Sequence, residues 1–170
     1  KRQKIEDKSW TNGKSVDFGT IASVMEGAHR PGHFNGVAQV VSKLFRIVLP
    51  DKAYFGQKDF QQLAIIRSMT RQLGMPIEII SCDIMRETNG LAMSSRNERL
   101  TSEERNLAGI ISKTLFNIKD LYTNRSVSEL KAIGSKLIQT VPSISMEYLE
   151  ISDAETLQPI NDLKQSKSAV

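Results

Sequence analysis

The sequence predicts an α/β fold, with a parallel sheet in its first half and a smaller α+β segment after it. Three observations carry this. Strand-like runs alternate with amphipathic helical segments from residue 16 to residue 84, the order that parallel α/β units produce. Pro50 and Gly74 fall where the two helical segments must stop. The polar stretches 55–59 and 85–97 each follow a predicted strand, and ligands collect at the carboxyl ends of strands in open parallel sheets.

Taken in order, residues 1–15 are charged, contain Asn12-Gly13 and read as a surface entry. Residues 16–25 hold short apolar stretches without helical period, and their later part is a plausible strand. Residues 26–36 form a loop dense in Gly and Pro that contains both histidines of the chain. From Val37 the apolar positions Val40, Val41, Leu44, Phe45 and Val48 recur at threes and fours, which predicts a helix ending before Pro50. Lys52 to Gly56 reads as a short buried strand. Asp59 to Leu73 resumes helical spacing through Leu63, Ile66, Met69 and Leu73, and residues 77–84 are a β-branched strand. A helix follows over 101–122, capped by Thr101 or Ser102, with Leu107, Ile110, Ile111, Thr114, Leu115 and Ile118 on its apolar face. A second helix, capped by Ser126 or Ser128, uses Leu130, Ile133, Leu137 and Ile138 and ends at Pro142. Residues 145–152 alternate as a strand would, and 153–162 are a turn-rich return.

Composition narrows the function classes. With 39% apolar residues among 170, the chain carries enough for an ordinary core. No run approaches the roughly 18 apolar residues of a membrane span, and Lys1-Arg2-Gln3-Lys4 does not lead into a signal-peptide core, so a soluble protein without membrane partners is expected. The lone Cys82 forms no intramolecular disulfide, which fits a reducing cytoplasm. A net charge of +4, spread rather than blocked, favours anionic small molecules over nucleic acid.

Two constellations carry candidate chemistry. In Phe55-Gly56-Gln57-Lys58-Asp59-Phe60-Gln61-Gln62, Gly56 allows close approach to the backbone, Lys58 supplies a point charge for phosphate, Asp59 can accept from ribose hydroxyls, and Gln62 lies one turn beyond Lys58. The same residues also suit a plain helix start, with Asp59 as cap and Lys58 in solvent. In residues 85–97, Asn89-Gly90 favours a turn that can act as a hinge, and Ser94, Ser95 and Arg96 group donors that suit phosphate oxygens. A solvated polar connection is the competing reading. Neither a P-loop nor a dinucleotide glycine fingerprint occurs. His29 and His33 stand four apart, but Pro31 and Gly32 break any helix that would join them as metal ligands, so no metal site is assigned. Cys82 lies in a predicted strand far from either histidine in sequence and reads as a small core residue.

Arg30-Pro31-Gly32-His33-Phe34-Asn35-Gly36-Val37, Tyr54 to Leu63, and Gly90-Leu91-Ala92-Met93-Ser94-Ser95-Arg96-Asn97 together resemble the pantothenate synthetase (pantoate-β-alanine ligase) family, in the family's own order. The resemblance spans most of residues 18–122 and is looser from Ser126 onward. It implies a Rossmann-like nucleotidyltransferase fold of the adenine nucleotide α-hydrolase-like kind. Residues 1–84 would be the C-terminal part of the nucleotide-binding domain and residues 85–170 a small domain carrying the Met-Ser-Ser-Arg loop. It further implies condensation of pantoate with β-alanine through a pantoyl adenylate, with ATP as substrate, Mg²⁺ as its companion and a homodimer as the assembly.

Residue by residue, Gly56, Gln57, Lys58 and Asp59 match the family's ATP block and Gln62 its pantoate glutamine. Met85 matches the backbone position beside adenine. Met93, Ser94, Ser95 and Arg96 match the counterpart of the lysine-methionine-serine loop of class I aminoacyl-tRNA synthetases. Lys58, Ser94, Ser95 and Arg96 are thereby the implied catalytic groups, and residues 85–97 are expected to be mobile until nucleotide orders them. The family's two-histidine motif and first pantoate glutamine have no counterpart here, since His29 and His33 sit in another block. The chain is therefore expected to be the C-terminal portion of the enzyme, its sheet incomplete at the N-terminus and its last small-domain strand cut short. Two other readings stay open: a fragment of a class I synthetase-like enzyme acting on tRNA, and a non-catalytic or dimerisation fragment.

Overall fold

A computed structural model describes Thr11 and residues 16–170. The expected surface entry over residues 1–15 lies, apart from Thr11, outside the described residues. The chain divides into two compact units, one ending at Asp83 and the other running Ile84–Val170.

The first unit is α/β. Strands β1 (Lys52–Gly56) and β2 (Glu78–Cys82) pair in parallel, with Lys52 opposite Glu78 and Gly56 opposite Cys82. Helix α3 (Phe60–Leu73) makes the crossover between them and closes on Gly74, which takes the left-handed φ of 65° that a helix-ending glycine adopts at little steric cost. Ahead of them lie a one-turn helix α1 (Glu26–His29) and helix α2 (His33–Val48). The core gathers Phe18, Phe34, Ala38 and Phe45 against Ile65, Ile66, Met69 and Leu73, with Ala53, Phe55, Ile77 and Ile79 of the strands packed on it.

Two expectations for this unit are corrected. Residues 16–25 hold no strand: Gly19 has φ 52°, Gly19–Ala22 form a 3₁₀ turn, and Met25 takes φ 48°. An extended ladder is impossible along such a bent path, and the carbonyls of Ile21 and Val24 accept from the Gln61 side chain instead of a neighbouring strand. The Gly- and Pro-rich segment is also helical at both ends, with Gly32 (φ 78°) reversing the chain between α1 and α2. His29 ends one helix and His33 begins the next, so the predicted break between them is present.

The periodicity of α2 is real, but its inward stripe is Phe34, Ala38, Ser42 and Phe45. Val40, Leu44 and Val48, expected in the core, are exposed. The helix carries two apolar stripes, and this chain buries the one that holds Phe34 and Phe45, with Val37 and Val41 packed beside it.

The second unit opens with a hairpin, in which Arg86 bridges Ala92, and continues through α4 (Ser102–Leu107), α5 (Gly109–Leu121) and α6 (Val127–Gln139). Thr101 and Ser126 each complete a capping box, with Glu104 and Glu129 reaching back. The predicted helix over 101–122 is two helices. It breaks at Ala108, where a Cβ on the next residue, Gly109, would stand 2.9 Å from the Asn89 carbonyl oxygen. Leu107, Ile111 and Leu115 are exposed, while Thr114 and Ile118 are inside. Helices α5 and α6 approach closely at Gly134, whose missing side chain leaves room for Ile118 and Leu149. Ile118, Val127, Leu130, Ile151 and Ile160 form this unit's core.

The strand expected over 145–152 is also corrected. That stretch lacks a ladder, and single bridges join Ser152 to Pro159 and Asp153 to Ala169. Its end is held by isolated pairs, as where Ser152 and Val170 exchange both backbone bonds at 2.8 Å. Among the described residues, no helix is long and apolar enough to cross a membrane.

Candidate functional site

At the carboxyl end of the sheet, β1 stops at Gly56 and the chain turns through the 3₁₀ segment Gln57–Asp59 into α3. Gly56 is in ordinary extended geometry (φ −71°, ψ 137°), and a Cβ there would meet nothing within 4 Å. Neither backbone strain nor packing requires glycine at this point, so its effect is to leave the space beside the strand end open. Asp59 occupies the cap position of α3 yet its side chain accepts no helix N–H. The plain capping reading of Asp59 therefore fails. Its carboxylate lies 3.4 Å from the Lys58 ammonium, with both side chains well exposed. The first-turn amides of a 14-residue helix are thus left without a side-chain cap beside an exposed lysine, a combination suited to anion oxygens.

Gln61 and Gln62 are neighbours with different work. Gln61 is 5% exposed, and its amide bonds Ile21, Val24 and Gly27. Gln62 is half-buried, and its amide has no hydrogen bond among the described residues. Cys82, expected in the core, is half-buried opposite Gly56.

The remaining predicted residues lie in the second unit, on the hairpin. Met93 N–H donates to the Met85 carbonyl at 2.9 Å and Glu87 N–H to Leu91 at 2.8 Å, while Gly90 (φ 89°) makes the turn. Met85 and Met93 are both more than half exposed. Ser94 caps the 3₁₀ turn Ser95–Arg99 by accepting from Arg96 N–H at 3.2 Å, which leaves its hydroxyl proton available. Ser95 and Arg96 are exposed, and neither side chain has a hydrogen bond or ion pair among the described residues.

The expected hinge at Asn89-Gly90 is tied down. Asn89 Nδ2 donates to the Arg105 carbonyl at 2.8 Å and its Oδ1 accepts from Leu91 N–H at 3.0 Å. A Cβ on Gly90 would stand 2.6 Å from Ser112 Oγ. Arg86 bonds the Gly90 carbonyl at 3.0 Å, and its guanidinium lies 5.0 Å from the Phe116 ring centre.

Sequence reasoning missed the residues that brace this hairpin. The Glu87 carboxylate accepts from Arg105 Nε at 2.7 Å, from a second Arg105 nitrogen at 2.9 Å and from Asn97 Nδ2 at 2.7 Å. Asn97 Nδ2 also donates to the Ala92 carbonyl at 3.1 Å. The Arg105 contact above all, and Asn97 after it, hold the Glu87 carboxyl below the usual carboxylate range, and Glu87 in turn raises the Arg105 guanidinium. No local pattern in the sequence joins positions 87, 97 and 105. Among the described residues no three His, Cys, Asp or Glu side chains gather to hold an ion.

These observations can be set beside known proteins. The family model described as pantoate-beta-alanine ligase matches residues 4–170. The pantothenate synthetase of Porphyromonas gingivalis ATCC 33277 is 51% identical over 154 residues, covering 91% of this chain and 55% of that protein. The pantothenate synthetase of Azobacteroides pseudotrichonymphae is 49% identical over 95% of this chain and 58% of its own length. Among solved structures, pantothenate synthetase from Thermus thermophilus superposes with a TM-score of 0.82 at 41% identity, over 88% of this chain and 54% of that one. Pantoate-beta-alanine ligase from Francisella tularensis, complexed with beta-gamma ATP and beta-alanine, matches with a TM-score of 0.60 at 35% identity, over 73% of this chain and 46% of that one. The chain spans about half the length of the relatives it matches. The parallel crossover of the first unit agrees with a Rossmann-like nucleotidyltransferase fold, and the chain belongs to the pantoate-beta-alanine ligase family.

Proposed function

We propose that this chain carries the second half of the site at which pantoate and β-alanine are joined at the expense of ATP. The pantoate carboxylate attacks the α-phosphorus, pyrophosphate leaves, and the β-alanine amine then displaces AMP from the acyl carbon. Both steps depend more on charge stabilisation than on proton transfer, because the triphosphate repels a carboxylate and the leaving pyrophosphate gains charge. In this reading the first unit is the C-terminal part of the nucleotide-binding domain, and Gly56 and Gln57 border the nucleotide. Lys58 meets phosphate, Asp59 the ribose and Gln62 the pantoate. The second unit is the small domain, with Met85 and Met93 beside adenine and Ser94, Ser95 and Arg96 as phosphate donors.

The observation that carries the reading is the start of α3, where Asp59 holds the cap position without capping and Lys58 is exposed beside a helix start that has no side-chain cap. The relative from Francisella, complexed with beta-gamma ATP and beta-alanine, supports the same ligands. Mg²⁺ belongs to the proposal only as an ion carried on the triphosphate oxygens. A cytoplasmic homodimer is the assembly that goes with it. The test is pyrophosphate exchange into ATP by the intact native protein, which should require pantoate. Exchange driven equally by an amino acid, with pantoate inert, would overturn the assignment, and retention of labelled tRNA would point to the synthetase-like alternative.

A further inference from the structure

The second unit presents its donors on a short segment, Met93 to Arg96, whose two flanks converge on a single carboxylate. Asn97, 7% exposed, donates from one Nδ2 both to Glu87 and to the carbonyl of Ala92, the residue just before the segment. Asn97 N–H meets the Ser94 carbonyl at 3.0 Å. Glu87 is in turn gripped by the Arg105 fork, and the Arg105 carbonyl holds Asn89 at the hairpin turn. Arg105 belongs to α4, so the chain of contacts runs from a helix through the carboxylate to both ends of the donor segment. The Glu87 side chain is only 14% exposed, whereas Ser95 and Arg96 stand in solvent. Glu87 is therefore behind the segment and unable to serve as one of its ligand-facing groups.

We propose that Glu87, Asn97 and Arg105 are positioning residues, which hold Met93 to Arg96 in the geometry that receives phosphate before any nucleotide arrives. A planar guanidinium gripping both oxygens of one carboxylate fixes direction as well as distance, and this is why Arg105 cannot be replaced by a simple point charge. The segment is a preformed cradle and not a loop that must fold around its ligand, so the ordering entropy is spent during folding of the second unit. The inference rests on the ligase reading for the identity of the reaction, but the preorganisation itself is a property of the unliganded chain.

Glu87→Gln keeps the size of the side chain and replaces one accepting oxygen by an N–H₂ that faces the donors of Arg105 or Asn97. In native-length protein it should slow pantoate-dependent adenylate formation by roughly ten- to a hundredfold, the range expected when reacting groups drift by about an ångström. The KM for ATP should rise while the KM for pantoate stays near its original value. Hydrogen exchange without nucleotide should be slow at the amides of Glu87, Gly90 and Met93 in the unaltered protein. It should accelerate at these amides in the variant, while α5 and α6 keep their protection. Should Glu87→Gln not fold, Arg105→Lys, which preserves the charge but loses the fork, gives the same readings. Unchanged kinetics and exchange in whichever variant folds would overturn the proposal, as would fast exchange of the three hairpin amides in the unaltered protein. A protein that lacks pantoate-dependent exchange but shows the protected hairpin and its loss in Glu87→Gln would refute the ligase reading and leave the positioning network standing.

Discussion

Replacing Gln61 by alanine should destabilise the first unit, and the size of the loss can be worked from its three contacts. The Nε2 group donates to the Ile21 and Val24 carbonyls at 2.8 and 2.7 Å, and Oε1 accepts from Gly27 N–H at 3.3 Å. Each of the two short bonds contributes about 1 kcal/mol net. The third is long, and Gly27 N–H also reaches the Val24 carbonyl at 2.9 Å, so its loss adds little. Both carbonyls are only partly buried, which limits the penalty for leaving them bare to the lower part of the roughly 1–3 kcal/mol range. With the cavity under the bent segment, the total is about 3 kcal/mol. At a urea slope of about 2 kcal/mol/M, the midpoint should fall by roughly 1.5 M. Gln61→Glu, of equal size, should lose at least as much, because a carboxylate oxygen would face two carbonyls. Gln62→Ala is the control and should hold its midpoint within about 0.25 M, since its amide bonds nothing among the described residues. A Gln61→Ala midpoint within about 0.25 M of the original, the roughly 0.5 kcal/mol scatter of surface substitutions at that slope, would mean that water replaces the amide and that Gln61 does not shape residues 20–27.

Two further outcomes follow from the same geometry. Lys58→Ala should slow adenylate formation about a hundredfold, the effect of losing one charge-assisted phosphate contact, with no change in the urea midpoint; unaltered single-turnover kinetics would leave Lys58 a solvated helix-start residue. Asp153 accepts from the hydroxyl of Ser166 and from Thr156 and Glu155, which hold its carboxyl down at about 2. Its contribution to stability is therefore complete above the ordinary carboxylate range near 3.8 and is lost as pH falls toward 2, so Asp153→Asn should flatten the urea midpoint over that window; a slope identical to that of the original protein would refute this.

The parts of the fold that the sequence predicted well are those where one residue class decides the outcome. Lys52–Gly56 forms a strand as expected, although it is not the buried one the sequence suggested, since Tyr54 is exposed; Gly74 closes α3 in the left-handed region, and Thr101 and Ser126, one of each pair of expected caps, cap their helices. The failures have a common cause, which is that a distant group supplies what a local pattern assigns to a neighbour. Residues 16–25 looked strand-like until Gln61 took their carbonyls, and the helix over 101–122 looked continuous until the Asn89 carbonyl came against Gly109. The apolar face of α2 was half read, with Val37, Val41 and Phe45 at the core but Val40, Leu44 and Val48 outside it, because spacing reports that a stripe exists and not which of two stripes meets the core.

The residues proposed for the site stand out in the sequence for a different reason. Groups that face a ligand would have to be specific chemical types at fixed separations, and such types stand out against any background of helix and strand formers. The groups that hold them need only satisfy each other in space. Gln61 and Gln62 are identical in sequence terms, yet one binds three backbone groups and the other is left open. Asn97 follows directly on Ser94, Ser95 and Arg96 and belongs to the same block, but it turns inward to Glu87. Each block thus interleaves groups that a ligand can reach with groups that fix where the reach begins. A substitution survey that scored activity alone would merge the two. Measuring stability beside activity separates them, since loss at Lys58 should leave the fold whole, while loss at Gln61 should unseat the segment beneath α1 before any substrate is added.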